Sequence, residues 1–123
     1  MQLAAPPDCE EAARRFVGEL LGLDEVPKPG SLGGRGGVWF ECGTQQLHIG
    51  VVEAFAPATK AHPAFRVTEY EAVRARLRSS GFEVREDDAI PGIRRFFVDD
   101  PWGNRLEVIA APGTEARAPR SRI

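Results

Sequence analysis

The sequence has few of the residues that mark a metal, redox or secreted protein. Its 123 residues include two cysteines and two histidines, and Cys9 and Cys42 do not form a Cys-x-x-Cys motif. Zinc and thiol redox centres commonly use that spacing, so its absence gives no support to either kind of site. Unpaired thiols are usual in a reducing compartment, and we therefore predict a cytoplasmic protein.

Charge and hydrophobic runs exclude two further classes of partner. The formal net charge is −2, so no overall field favours nucleic acid or an anionic membrane. No apolar run approaches the roughly 18 to 20 residues needed to cross a bilayer. The N-terminal residues also lack the basic-then-apolar pattern of a signal peptide. We expect neither a nucleic acid nor a membrane as partner.

Glycine is plentiful, but not in a nucleotide-binding pattern. The stretch PGSLGGRGG at 29–37 has neither the GxxxxGK[ST] nor the GxGxxG arrangement that would support phosphate binding through its backbone. The pattern instead predicts a loop.

Hydrophobic periodicity predicts the same order of elements twice. In the first half we predict strands at 2–5, 23–27, 38–42 and 45–52, and a helix over about 8–21 that Asp8 would cap. In the second half we predict strands at 64–67, 82–86, 93–100 and 104–110, and a helix over about 69–80 capped by Thr68. Both halves therefore have the order βαβββ. Aligning VWFECGTQQLHIG with FFVDDPWGNRLEVI places His48 opposite Glu107.

This repeat defines the predicted fold. Each module buries one face of its sheet and needs a partner to complete a core. We predict the α+β class, with two paired βαβββ modules forming a cupped mixed sheet and the helices on its outer face. Residues 1–111 would form one domain, with module one at 1–52, a linker at 53–60 and module two at 61–111. Residues 112–123 would form a flexible C-terminal tail.

Strand alternation separates the two faces of the predicted sheet. Leucine, isoleucine and valine at alternate positions of the last strand in each module would pack against a helix. The intervening positions would point to the other face, where polar and aromatic residues are concentrated. That face would carry Trp39, Glu41, His48, His62, Arg95, Phe97 and Glu107.

Four stretches together resemble the vicinal oxygen chelate superfamily, which includes glyoxalase I, fosfomycin-modifying enzymes, bleomycin-binding proteins and extradiol dioxygenases. They are CEEAARRFVGELLGL (9–23), GGVWFECGTQQLHIG (36–50), AHPAFRV (61–67) and FFVDDPWGNRLEVI (96–109). The last is the most specific, because an aromatic strand, the turn D-P-x-G-N and a short strand with glutamate are close to a signature of that superfamily. The resemblance covers nearly the whole chain except the tail.

The resemblance implies a divalent metal ion held by His48, His62 and Glu107. Two imidazoles and one carboxylate suit zinc, iron, manganese, nickel or cobalt. A fourth ligand, from the first strand of module one, would align about two residues before Gln2, at or before the start of the chain. Small members of the superfamily usually form homodimers, many with a site shared between subunits, and the resemblance implies the same here.

Two functions remain open at this point. The first is a metal-dependent lyase, isomerase or dioxygenase acting on a small oxygen-rich substrate. Glu107 and Glu41 would then be catalytic, with Glu41 a general base, and Trp39, Arg95 and Phe97 would bind substrate, Arg95 through a carboxylate or phosphonate. The alternative is a metal-free protein that sequesters an antibiotic or another planar ligand, with Trp39 and Phe97 as a stacking platform. The two hypotheses predict opposite metal contents.

Overall fold

The structure of the protein, a computed structural model, describes residues 1–112. Apart from Pro112, the predicted tail lies outside the described residues. The described chain contains eight strands: β1 Gln2–Ala5, β2 Asp24–Val26, β3 Val38–Cys42, β4 Gln45–Val51, β5 Ala64–Val67, β6 Arg85–Asp87, β7 Arg95–Asp99 and β8 Arg105–Ala110. Its helices are α1 Glu10–Ala13, which continues as a π-helical segment Arg14–Leu20, a 3₁₀ segment Gly30–Arg35, and α2 Tyr70–Ser79.

The chain divides into two compact units. The first comprises Met1–Thr59 together with Asp100–Asn104, and the second comprises Lys60–Asp99 and the residues from Arg105 onward. Each unit contains one four-stranded mixed sheet. The strand orders are β1-β4-β3-β2 and β5-β8-β7-β6. In the first sheet β1 is parallel to β4, and in the second β5 is parallel to β8. The α+β class and the repeated βαβββ order are confirmed, whereas the extent of a single domain over 1–111 stays a prediction.

The two sheets share the same register. In the first, Gln2 pairs with His48 and the His48 amide donates to the Met1 carbonyl. In the second, Ala64 pairs with Glu107 and the Glu107 amide donates to the Pro63 carbonyl. His48 and Glu107 therefore occupy equivalent positions, as the sequence alignment predicts. By the same equivalence, His62 corresponds to the position before Met1.

Burial follows strand alternation in both units. In the first unit the buried positions include Phe16, Leu20, Phe40, Leu47 and Ile49; in the second they include Phe65, Tyr70, Leu77, Phe96 and Leu106. Between them along each strand lie residues that are at least partly exposed, apart from Glu107. The apolar face of each sheet thus packs against its helix because side chains alternate between faces, and the polar face is left for the candidate site.

Several local expectations are wrong. Asp8 does not cap the first helix: it has a φ of 62°, and Cys9 occupies the cap position, because the helix begins two residues later than predicted. Thr68 likewise lies one residue before the cap position, which Glu69 takes. The stretch at 29–37 contains a 3₁₀ segment rather than only loop.

The strand predicted at 82–86 begins later, at Arg85. The reason is the way that α2 ends. Gly81 has a φ of 90°, its amide donates to the Arg78 carbonyl, and the Phe82 amide donates to the Leu77 carbonyl. This pair of bonds is a Schellman motif, so Phe82 belongs to the helix terminus and is not available for strand pairing.

Within residues 1–112, no helix is long and apolar enough to cross a membrane. Cys9 and Cys42 are both free thiols.

Candidate functional site

Glu107 occupies the centre of the polar face of the second sheet. It lies on β8, paired with Ala64 of β5 on one side and with Phe97 of β7 on the other. Its residue exposure is 7%, which is unusual for a carboxylate because burial of an unpaired charge is strongly unfavourable. Its partners must therefore account for its position.

Two cationic or protonatable side chains bind the two oxygens of Glu107. His62 Nε2 lies 2.9 Å from Oε1, and Arg95 Nη1 donates to Oε2 at 2.9 Å. Burial alone would raise the pKa of Glu107, but the hydrogen bonds from His62 and Arg95 and the charge of Arg95 outweigh it, so the pKa lies below its usual value. The carboxylate is thus held in its charged form.

Arg95 is anchored on its other side by Asp87. Its Nε and Nη2 atoms donate to Asp87 Oδ2 at 2.8 and 2.5 Å, and its guanidinium carbon lies 5.2 Å from the centre of the Phe97 ring. Asp87 lies directly opposite Arg95 in the β6–β7 pairing. The guanidinium therefore has donors committed to two carboxylates, and it orients Glu107 from the side opposite His62.

The hydrogen bonds of His62 define where its protons can be. Its Nδ1 atom lies 2.9 Å from the Lys60 carbonyl oxygen, which can only accept, so Nδ1 carries a proton. An ionised Glu107 also only accepts, so the bond at Nε2 needs a second proton on the ring. If that proton leaves, the Nε2 lone pair points at the position beside Glu107 Oε1, which is the arrangement of a metal-binding imidazole.

Phe97 is enclosed by side chains of the same unit. Besides Arg95, the guanidinium carbon of Arg105 lies 5.0 Å from the ring centre. The His62 ring meets it edge-on at 5.4 Å. Phe97 thus supports the charged residues of the face through cation–π and aromatic contacts. Its predicted role in substrate binding stays a prediction.

In the first unit, Trp39 and His48 form a stacked pair. They are register partners on β3 and β4, with ring centres 3.6 Å apart and planes within 3°. His48 Nε2 lies 2.9 Å from Gln46 Oε1. Burial, and secondarily the positive charge of the N-terminal ammonium group, lower the pKa of His48, so the ring is held neutral. A neutral imidazole is the form that binds a metal.

The structure thus brings four of the predicted site residues together in the second unit and two in the first. His62, Glu107, Arg95 and Phe97 form one network, and Trp39 stacks on His48, while Glu41 is exposed on β3. Within residues 1–112 no group of three or more histidine, cysteine, aspartate or glutamate residues is placed to hold a metal ion. The roles given to these residues stay predictions.

Solved structures of similar proteins identify the family. A glyoxalase family protein from Bacillus anthracis is 50% identical, with a TM-score of 0.84, and the match covers 89% of this chain and 90% of that one. The chain belongs to the glyoxalase family. It falls within the vicinal oxygen chelate superfamily, as the four sequence stretches indicate. No family model and no curated protein matches the sequence.

More distant structures share the fold of this glyoxalase family chain. A lactoylglutathione lyase from Agrobacterium tumefaciens is 22% identical, with a TM-score of 0.66, over 94% of this chain and 93% of that one. An antibiotic binding protein from Streptomyces sp. CB03234 is 23% identical, with a TM-score of 0.63, over 89% and 93%. One fold therefore carries both an enzyme and a binding protein, and the fold alone does not choose between them.

The DPWGN turn of this family member is structural. Asp100 Oδ1 accepts from the amides of Trp102 and Asn104 at 3.0 and 2.8 Å. The Asn104 side chain donates to Asp100 Oδ2 and to the Ala4 carbonyl, and accepts from the Ala58 amide. The motif therefore ties β1 and the segment after β4 to one turn within the first unit.

Sequence reasoning missed two positioning groups of the site. Asp87 falls between the strands predicted at 82–86 and 93–100, yet it anchors Arg95, and the Lys60 carbonyl orients His62. The sequence offered one signal for Asp87. It is an acidic residue at the two-residue spacing of a strand, shortly before the strand that contains Arg95. No side-chain pattern could reveal the Lys60 carbonyl, because a backbone group is present at every residue.

Proposed function

We propose that this glyoxalase family protein is a divalent-metal-dependent enzyme, a lyase, isomerase or dioxygenase that acts on a small oxygen-rich substrate. The observation that carries the proposal is the pair formed by His62 Nε2 and Glu107 Oε1, 2.9 Å apart, with the opposite nitrogen of His62 on a backbone carbonyl. Histidines that bind metals usually donate their second N–H to such a partner.

The spacing of these two atoms fits a shared ion. Ligand bonds of about 2.0 to 2.1 Å at angles of 90 to 110° separate neighbouring ligand atoms by about 2.8 to 3.4 Å. The separation of 2.9 Å in the His62–Glu107 pair lies at the near end of that range. Binding a metal would displace the proton on Nε2, as metal binding to imidazole does generally, and would leave Oε2 of Glu107 with Arg95.

We propose His48 as the third ligand. It stands at the register position in its sheet that Glu107 holds in the other, next to the equivalent aromatic residue, since Trp39 pairs with His48 as Phe97 pairs with Glu107. Its lowered pKa favours the neutral, ligating form. This assignment rests on the repeat and on the family resemblance, and the third ligand could come from the same chain or from a partner subunit. A homodimer with a shared site is part of the proposal.

When bound, the ion would act as a Lewis acid that stabilises a developing enediolate or oxyanion. The chain's own residues would do the rest. Arg95 holds one oxygen of Glu107, so the carboxylate would present the other oxygen alone. The backbone carbonyl of Lys60 accepts a hydrogen bond from His62 Nδ1 and so would keep a proton on that nitrogen. Glu41 is proposed as a general base, and Trp39 and Phe97 as contacts to the substrate.

The experiment is a cobalt titration of chelator-treated, tag-free protein, followed by visible absorbance and compared with three variants: His48→Gln, His62→Gln and Glu107→Gln. Loss of a ligand should weaken binding by more than about a hundredfold, beyond the range seen for changes outside the ligand set. Glu53→Gln is the matched control, because Glu53 is an exposed carboxylate. It should bind cobalt as the wild type does.

Saturation at one ion per chain, lost in the ligand variants, would support the enzyme. Saturation that survives His48→Gln would remove His48 from the ligand set. If the wild type takes up no ion, and a planar antibiotic quenches tryptophan fluorescence in the presence of a chelator, the binding-protein alternative would replace the proposal. Sedimentation of the same samples would test the homodimer.

A further inference from the structure

The second unit contains a small cavity near the C-terminal ends of β5 and β8. Its volume is about 220 Å³, below the roughly 300 to 1,000 Å³ of sites for drug-sized ligands. It is lined by Arg66, Gly92, Ile93, Arg94 and the run 109–112. A cavity of this size suits a ligand of only a few heavy atoms.

Arg66 is the charged group of the cavity that is open to a ligand. It is exposed on β5, and among the described residues no carboxylate forms an ion pair with it. Arg95, which lies on the same face, has donors on Glu107 and Asp87. Arg94 pairs with Glu71 and covers the Tyr70 ring. Arg66 can therefore offer its guanidinium fork to an anion without first breaking a bond to a described carboxylate.

Apart from Arg66 and Arg94, the lining consists of glycine, alanine, proline and two isoleucines. Ile93 is 42% exposed, and Ile109 is partly buried opposite Arg66 in the β5–β8 pairing. An exposed isoleucine beside an arginine that pairs with no described carboxylate indicates a ligand with one charged end and a short hydrocarbon part. A single guanidinium matches the charge of one carboxylate and binds it through two parallel hydrogen bonds, whereas an inorganic phosphate would leave the isoleucines without an apolar partner.

Two residues of the cavity, Arg66 and Ile109, lie on the same sheet face as Glu107, the proposed metal ligand. Ile109 follows Glu107 by two positions, which is about 7 Å along a strand and returns to the same face. We propose that Arg66, with Ile93 and Ile109, forms a subsite for the carboxylate end of a small branched or short-chain acid. The proposal deepens the proposed function, on which it rests for the claim that this acid is part of the substrate. The subsite itself needs only the geometry of the second unit.

The test measures binding of isovalerate to the full chain by amide chemical-shift changes in NMR, with a chelator present. Isoamyl alcohol, which has the same carbon skeleton without the charge, and inorganic phosphate, which has the charge without the skeleton, are the matched probes. The variants are Arg66→Gln and Arg66→Lys. Arg78→Gln is the control, because Arg78 is an exposed arginine on α2 with the same formal charge.

We expect isovalerate to shift the amides of Ala110 and Ala111 saturably in the wild type and in Arg78→Gln. Arg66→Gln should weaken binding by about tenfold or more, the scale of one lost charge-assisted pair, and Arg66→Lys should weaken it less. Equal binding to Arg66→Gln, or equal binding of the alcohol, would overturn the role of Arg66. Phosphate binding as tightly as isovalerate would overturn the carboxylate assignment. Because the chelator excludes metal, failure of the subsite and failure of the metal proposal give separate results.

Discussion

Replacing Asn104 by alanine should destabilise the first unit substantially. The Asn104 side chain makes three hydrogen bonds, at 2.8 Å to the Ala4 carbonyl, 2.9 Å to Asp100 Oδ2 and 2.9 Å from the Ala58 amide. The residue is 2% exposed. Truncation of the Asn104 side chain leaves the Ala4 carbonyl, the Asp100 carboxylate and the Ala58 amide in place without the hydrogen bonds that it made to them.

The expected magnitude follows from that count. Leaving a buried polar group unpaired costs about 1 to 3 kcal/mol, and partial relaxation or entry of water reduces the larger values. Only the bond to Asp100 is fully buried, and those to Ala4 and Ala58 are part-buried, so we expect a loss of about 2 to 4 kcal/mol in the free energy of unfolding. That is a large part of the roughly 5 to 15 kcal/mol available to a domain. Asn104→Asp should also be destabilising, because it sets a second carboxylate beside Asp100.

The measurement is urea-induced unfolding followed by tryptophan fluorescence. Both tryptophans, Trp39 and Trp102, belong to the first unit, so the signal reports the unit that the mutation perturbs. The control is Gln45→Ala, which removes an exposed amide and should change stability by no more than about 0.5 kcal/mol. If Asn104→Ala unfolds within that same margin of the wild type, the reasoning about the buried turn is wrong.

Two further predictions concern single contacts. The Gly37 amide donates to Glu10 Oε2 at 2.6 Å, and chiefly for this reason the pKa of Glu10 is below its ordinary 4.5. The stability that this carboxylate contributes is present at pH values above its pKa in the unfolded chain. It is lost as the pH falls through its pKa in the folded protein. Glu10→Gln should therefore lower the free energy of unfolding by about 1 kcal/mol at neutral pH. In urea titrations at a series of pH values, the free energy of unfolding of this variant should fall less steeply below pH 4.5 than that of the wild type. An equally steep fall in both proteins would contradict this. The Tyr70 hydroxyl is buried without a hydrogen-bond partner among the described residues, so Tyr70→Phe should be neutral or stabilising by up to about 1 kcal/mol in thermal unfolding, and a clear loss would reveal a partner for the hydroxyl.

The repeat and the sheet faces could be predicted from the sequence because they are local, periodic properties. Alternation every second residue places Leu47 and Ile49 on the buried face and His48 on the other, whatever the strand later pairs with. The alignment of His48 with Glu107 needed only the matching order of elements, and the registers of the two sheets agree with it. Helix ends were less predictable, since the cap of α1 and the Schellman motif after α2 depend on where backbone bonds terminate.

The partners of each polar side chain could be read only from the tertiary structure. Asn104 binds the carbonyl of a residue 100 positions away, and Arg95 gives its donors to Glu107 and Asp87. Such pairs depend on strand register, side-chain length and the competition among nearby acceptors, none of which is a property of a short stretch. The sequence by itself therefore determined which face of each sheet carries the chemistry. Only the folded chain decided that Arg95 pairs with two carboxylates and that no carboxylate of residues 1–112 pairs with Arg66, because a charge is satisfied by its neighbours in space.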